Sequence, residues 1–216
     1  PLATARGRLA GAGTQTAGLA FGGNNAPPTF NNTEEYDGVG WGTGGNLGTA
    51  RGALAGAGTQ TAGLGFGGSP PDTGKTEEYN GTSWSEQNDL GTGRNALAGA
   101  GTQTAGLAFG GRPPDTGKTE EYNGTSWSEQ NDMNTARRSL SGCGIQTAAL
   151  AIAGGGGDPY PANVEQYDGT SWTEIADLNT ARGSTAAAGT TSSALVFGGE
   201  PPGTGTTATE QWNGTS

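Results

Sequence analysis

The sequence contains no histidine and a single cysteine, Cys143. A lone thiol closes no disulfide within the chain, and without imidazole or a second sulfur there is no nitrogen or sulfur donor set for a metal. No catalytic, cofactor or metal residue is therefore expected, and the chain reads as not an enzyme. Large apolar side chains are also scarce. Leu, Ile, Val and Phe number 24 of 216 residues, below the level at which a featureless chain buries one conventional core. No apolar run approaches 18 residues and no basic-then-apolar leader stands at Pro1, so neither membrane insertion nor a targeting segment is expected from these residues. Basic residues are few: Lys and Arg total 10 against 20 Asp and Glu, a net charge of -10 and a pI near 4.3. Such a surface repels phosphate backbones and anionic headgroups, which argues against nucleic acid as a partner.

Glycine, by contrast, is abundant. With 44 Gly and 11 Pro, about a quarter of the chain, the composition alone suggests disorder or a fibre. Self-comparison overturns that suggestion. Arg6, Arg51, Arg94, Arg137 and Arg182 each sit in a Thr-Ala-Arg or Thr-Gly-Arg triplet, spaced 45, 43, 43 and 45 residues apart, and Trp41, Trp84, Trp127 and Trp172 follow at 43, 43 and 45. The chain is one domain of five copies, about residues 1–46, 47–89, 90–132, 133–177 and 178–216.

Each copy reads as four short strands, a to d. In the second copy, strand a is expected over Gly52–Gly58 with almost only small side chains, and strand b over Thr61–Gly67 with Ala62, Leu64 and Phe66 on one face. Strand c is expected over Thr76–Tyr79, with Asn80-Gly81 a favoured two-residue turn into strand d at Ser83–Gln87. A four-stranded unit repeated at this interval predicts an all-β, five-bladed β-propeller, with strand a innermost and kept small by crowding there. The Trp series places a fifth Trp at position 217, past Ser216, so the fifth blade is expected to lack its outer strand and the sequence to be a piece of a longer protein.

The order Gly67-Gly68, Tyr79, Trp84 and Arg94 resembles the kelch repeat, a family of β-propeller blades. More narrowly, Asn-Gly-Thr-Ser-Trp, Asn-Thr-Ala-Arg and Gly-Thr-Gln-Thr-Ala-Gly-Leu-Ala-Phe-Gly-Gly are similar to kelch-type repeats of phage and marine viral structural or tail proteins. That resemblance implies a virion or extracellular surface, with other virion or assembly subunits as partners. The chain departs from the pattern in its short Tyr-to-Trp gap, in Trp212 where Tyr is expected, and in Ala153 at the first Gly position.

Two repeated polar sets invite a chemical reading. Glu34, Glu77, Glu120, Glu165 and Glu210 occupy one position of strand c, and a buried carboxylate needs a partner. The five Args recur in the same phase, so structural Arg–Glu pairs are expected; the alternative has some of these Args binding an anionic ligand. Thr73-Gly74-Lys75-Thr76 looks like a phosphate loop, but its spacing, its prolines and the strand that follows all disqualify it. Paired acids such as Glu77-Glu78 point to opposite faces of a strand and cannot flank one bond, which makes a hydrolase the less expected reading. The b-to-c loops, at 24–32, 69–74, 112–117, 155–163 and 200–205, carry most of the variation. Repeat scaffolds bind through such loops, and a site is expected around Asn24, Asn25, Arg112, Asp158 and Tyr160. These side chains suit a glycan or a surface protein. The competing expectation is a purely architectural capsid or tail decoration.

Overall fold

The structure, a computed structural model, describes residues 1–155, 160–200 and 205–215. Its fold class is all-β, a five-bladed β-propeller of antiparallel blades, with no helix among the described residues. Blade 1 comprises β1 (Ala10–Thr14), β2 (Ala17–Phe21), β3 (Thr33–Tyr36) and β4 (Trp41–Thr43); blade 2 comprises β5 (Ala55–Gly58), β6 (Gly63–Phe66), β7 (Thr76–Tyr79) and β8 (Trp84–Gln87). Blade 3 comprises β9 (Ala98–Gly101), β10 (Gly106–Phe109), β11 (Thr119–Tyr122) and β12 (Trp127–Gln130); blade 4 comprises β13 (Ser141–Ile145), β14 (Ala148–Ile152), β15 (Val164–Tyr167) and β16 (Trp172–Glu174). Blade 5 holds three strands, β17 (Ala186–Thr190), β18 (Ser193–Phe197) and β19 (Thr209–Trp212), and no fourth among the described residues. Within each blade the strands pair in chain order.

Two compact units can be distinguished. One contains Pro1–Asn95, Thr102–Gly106 and Tyr122–Ser128; the other contains Ala96–Gly101, Leu107–Glu121 and Glu129–Ser216. In the first, strand b of blade 1 supplies the apolar knobs: Leu19 is 2% exposed and Phe21 0%. They enter spaces left by glycines of blade 2. A Cβ built on Gly56 would lie 2.7 Å from Phe21 Cζ, and one on Gly63 would lie 2.7 Å from Leu19 Cδ2. In the second unit, a Cβ on Gly142 of blade 4 would lie 2.5 Å from Phe109 Cζ of blade 3. Small strand residues are thus explained by the Phe of the preceding blade. Burying a Phe contributes roughly 2–3 kcal/mol, so a glycine that admits one offsets its own entropic cost. Indole rings cover the knobs from the next blade, with centroids 4.7 Å apart for Phe21–Trp84 and 5.0 Å for Phe109–Trp172.

Two local features differ from the sequence expectation. The c-to-d connection of blade 2 spans Asn80 to Ser83, since Tyr79 pairs directly with Trp84. Asn80 lies at its entrance, where Oδ1 accepts the amides of Thr82 (3.0 Å) and Ser83 (2.9 Å), and Gly81 takes φ +88°. Second, strand a begins later, at Ala55, because Ala53 is left-handed, with φ 53°. Every copy repeats this conformation two residues after its Arg, at Arg8, Ala53, Ala96, Ser139 and Ser184. Successive copies are linked there: Ala53 N donates to Arg8 O (2.8 Å), Ser139 N to Ala96 O (2.8 Å) and Ser184 N to Ser139 O (2.9 Å).

Candidate functional site

In each unit the b-to-c loops lie beside the repeated Arg. Arg51 is 1% exposed and its partner Glu77 3%. The Arg51 guanidinium forms an ion pair with Glu77, and also donates to the carbonyls of Gly67 (2.9 Å), Thr49 (3.3 Å) and Gly65 (3.4 Å). The other Glu77 oxygen accepts the amide of Gly48 at 2.7 Å, so the carboxylate is held from two sides. The same staple joins Arg6 to Glu34 (2.5 Å), Arg137 to Glu165 and Arg182 to Glu210. Arg94 and Glu120 are likewise buried, at 1% and 3% exposed. Burial alone would raise the carboxyl pKa of Glu34, but Arg6 and the amides of Ala3 and Thr4 outweigh it and lower it overall. Glu210 is lowered in the same way, by Asn179 and Arg182 against its burial. Each side chain stays within its own blade, while the Arg backbone reaches the preceding one: Gly23 N donates to Arg51 O (2.9 Å) and Gly111 N to Arg137 O (2.9 Å). Arg182 departs from the pattern: its Nη1 donates to Glu210 and to Thr180 O (3.1 Å), while its buried Nε and Nη2 have no acceptor.

A second network was not foreseen from the sequence. The tyrosine ending strand c reaches the second acid of the previous blade: Tyr79 Oη donates to Glu35 (2.5 Å), Tyr122 to Glu78 (3.0 Å) and Tyr167 to Glu121 (3.1 Å). Beside it, the Nε1–H groups of Trp84, Trp127 and Trp172 donate to the hydroxyls of Thr33, Thr76 and Thr119, each at 2.9 Å. Gln60 and Gln103 extend from the a-to-b loops and donate to Tyr36 O (2.6 Å) and Tyr79 O (2.7 Å). Burial, together with the neighbouring carboxylate of Glu35, raises the Tyr79 phenol to about 12. Tyr122 and Tyr167 are raised as well, first by burial and then by Glu78 and Glu121. The signal was present in the pairing of columns. The second acid becomes Gln166 in blade 4, and the blade that follows carries Trp212 instead of Tyr.

The b-to-c loops emerge beside the Arg segments, as the backbone bridge between Gly52 and Ser69 demonstrates. Asn24 and Asn25 lie together in the blade 1 loop: Asn24 exchanges backbone hydrogen bonds with Gly7 (2.7 and 2.9 Å), and Asn25 N donates to Pro28 O (3.2 Å). Asn25 is exposed and Asn24 half-buried. In the other unit, Arg112 is exposed at the start of the blade 3 loop. Tyr160 is half-buried with its ring over Gly155 and Gly183; Cβ atoms there would lie 2.7 and 3.0 Å from its Cε1. Asp158 lies outside the described residues. Two further loop residues belong with this set. Asp72 accepts from Asn95 Nδ2, and Asp115 from Arg138 at 2.6 Å, each tying a loop to the residue after the repeated Arg. Lys75 of the phosphate-loop-like string pairs with exposed Glu86 (2.6 Å), and Lys118 with Glu129 (2.6 Å).

A separate cavity of about 50 Å³ lies between blades 4 and 5, lined mainly by Leu150, Ile152, Val164, Leu178, Val196 and Trp212. The Trp212 indole turns to donate to Thr191 O at 2.8 Å. Asp177, Asn179, Glu210 and Gln211 also line the space, which holds no more than a water or two.

Fold and network together define a β-propeller repeat protein whose repeated polar residues staple its blades. No family model matches the chain, and no relative is found among curated proteins.

Proposed function

We propose that the chain is a non-enzymatic binding and adhesion module of a virion or cell surface, a kelch-type propeller that recognises a glycan or a surface protein through its b-to-c loop face. The observation that carries this reading is the division of labour among polar residues. Glu34, Glu77, Glu165 and Glu210 are committed to arginines, and Glu35, Glu78 and Glu121 to tyrosines of the following blade. Acids held in this way are poor candidates for hydrolytic chemistry, whereas the loops vary in length and bear the amide, guanidinium and phenol groups of Asn25, Arg112 and Tyr160. Such groups on a rigid scaffold suit polar ligands. The kelch-type and viral assignments rest on the repeat residues alone.

Glycan-array and surface-protein binding by the 216-residue protein tests the reading. Specific binding that Arg112→Ala or Tyr160→Ala abolishes, with the melting temperature unchanged, supports it. Silence on every array, together with ordered contacts to virion or assembly subunits, supports a purely architectural decoration instead.

A further inference from the structure

The five c-to-d turns share one geometry but not one residue. In blade 2, Asn80 Oδ1 accepts the amides of Thr82 (3.0 Å) and Ser83 (2.9 Å), and in blade 3 Asn123 Oδ1 accepts those of Thr125 (3.0 Å) and Ser126 (2.9 Å). In blade 5, Asn213 Oδ1 accepts the amide of Thr215 at 2.9 Å and its hydroxyl at 2.8 Å. Blades 1 and 4 carry Asp in the same place. Asp37 Oδ1 accepts the amides of Val39 (2.9 Å) and Gly40 (2.8 Å), and Asp168 Oδ1 those of Thr170 (2.9 Å) and Ser171 (2.8 Å). The next residue is glycine in every copy, with φ between +87° and +93°. All five Asn or Asp side chains are exposed.

Each of the three asparagines therefore has around it the groups that its own hydrolysis needs. Fixed donors polarise the side-chain carbonyl and stand ready for negative charge on its oxygen. The amide that follows belongs to glycine, whose lack of a side chain leaves its nitrogen open to approach. Gly81 N and Gly124 N donate to no group among the described residues, so neither is held back by a hydrogen bond. The blade 3 turn is anchored further by Asn88, whose Nδ2 donates to Thr125 O at 2.9 Å. The product of hydrolysis already stands in the equivalent turns of blades 1 and 4. There the carboxyl of Asp37 is lowered below its ordinary value by the amides of Gly40 and Val39, and that of Asp168 by those of Ser171 and Thr170. A carboxylate is thus at home in this turn.

From this geometry we propose that Asn80, Asn123 and Asn213 are sites of self-catalysed deamidation, converted to aspartate in the folded protein by the turns that hold them. In blade 2, Gly81 N loses its proton to solvent base and attacks Asn80 Cγ. As the new C–N bond forms, Oδ1 takes up the negative charge against the Thr82 and Ser83 amides. The charge returns to the carbonyl as the old Cγ–N bond breaks, and the side-chain nitrogen leaves as ammonia with a proton from water. The resulting five-membered imide is opened by water, whose hydroxyl adds to Cγ while its remaining proton goes back to Gly81 N. The balance is one water consumed and one ammonia released, and each event adds one negative charge to a chain that already carries -10. These turns lie at the opposite end of each blade from the b-to-c loop, and the inference does not depend on what that loop binds.

Peptide mapping by mass spectrometry of the 216-residue protein, incubated at mildly alkaline pH, tests it. One sample is kept native and the other is held in guanidinium chloride, with circular dichroism confirming the state of each. Tryptic cleavage after Lys75 and Lys118 releases the strings that begin at Thr76 and Thr119, identical over their first fourteen residues, so local sequence is the same at both sites. Conversion at Asn80 and Asn123 is expected to run at least about threefold faster in the native sample, because only there are the donors fixed. Thr82→Pro removes one donor and should slow Asn80 about tenfold in the native protein, while Asn123 of the same molecules keeps its rate and serves as the reference. The aged protein should retain its melting temperature, as should Asn80→Asp with Asn123→Asp. Conversion that is equal or slower in the native sample overturns the inference. So does a native Asn80 rate unmoved by Thr82→Pro, or a melting temperature that falls as aspartate accumulates.

Discussion

Replacing Glu77 with Gln removes one charge from a site almost closed to solvent. The Arg51 side chain is 1% exposed and that of Glu77 4%. After the substitution, Arg51 keeps only carbonyl acceptors, at Gly67, Thr49 and Gly65 (2.9 to 3.4 Å). The new amide can accept from either the guanidinium or Gly48 N, and turns an NH2 group toward the other. An uncompensated buried cation of this kind costs about 3–5 kcal/mol. For a domain of this size that corresponds to a drop of roughly 6–20 °C in melting temperature, read by differential scanning calorimetry. The control is Glu86→Gln. Its carboxylate also lies 2.6 Å from a cation, Lys75, but the Glu86 side chain is 61% exposed, and the change should cost less than about 1 kcal/mol. Replacing both buried partners by apolar residues, Arg51→Met with Glu77→Leu, should cost less than the two single changes together. Equal melting shifts for Glu77→Gln and Glu86→Gln would refute the claim that burial is what makes the staple matter.

Tyrosine ionisation should set the alkaline limit of stability. The folded phenol of Tyr79 titrates at about 12 and its ordinary value is 10.0, so its contribution is intact below pH 10 and is lost as pH rises toward 12, at about 1.4 kcal/mol per pH unit; Tyr79→Phe should flatten that part of the denaturation profile. In acid the sign reverses. The lowered carboxyls of Glu34 and Glu210 stabilise the fold above their ordinary value of 4.5, and that contribution fades as pH falls below it. At Ala153, held left-handed at φ 55°, glycine should be tolerated within about 1 kcal/mol, because relief of backbone strain offsets the lost methyl contact. Ala151→Gly, equally buried but in β14, should cost about 1–2 kcal/mol in urea unfolding.

Much of the fold was legible because the sequence repeats its instructions. Five Args, four evenly spaced Trps and five Asx-Gly turns define the number and length of the blades, and strand c of the second copy occupies the expected Thr76–Tyr79. Strand a begins three residues later than the sequence predicts, because alternation of Ala and Leu does not reveal that Ala53 turns left-handed to meet Arg8. The c-to-d turn was displaced for a related reason: an Asn side chain does there what a backbone carbonyl does in a shorter hairpin. The link between Glu78 and Tyr122 was missed because its partners lie 44 residues apart, and only comparison between copies brings them together. The loop residues were legible as a variable set and no further. Asn24 and Asn25 belong to one compact unit and Arg112 and Tyr160 to the other, and length variation says only that these loops differ.

The central claim, that the repeated Tyr–acid and Trp–Thr hydrogen bonds hold successive blades together from blade 1 to blade 4, is tested most directly by a double-mutant cycle on Tyr122 and Glu78. Their hydrogen bond is 3.0 Å long, Tyr122 is 0% exposed, and the acceptor is a carboxylate. Urea unfolding of Tyr122→Phe, Glu78→Met and the double variant should give a coupling energy of about 1.5–3 kcal/mol, as for a buried hydrogen bond to a charged group. A coupling indistinguishable from zero would mean that the blades are held by their apolar knobs alone, and would contradict the account.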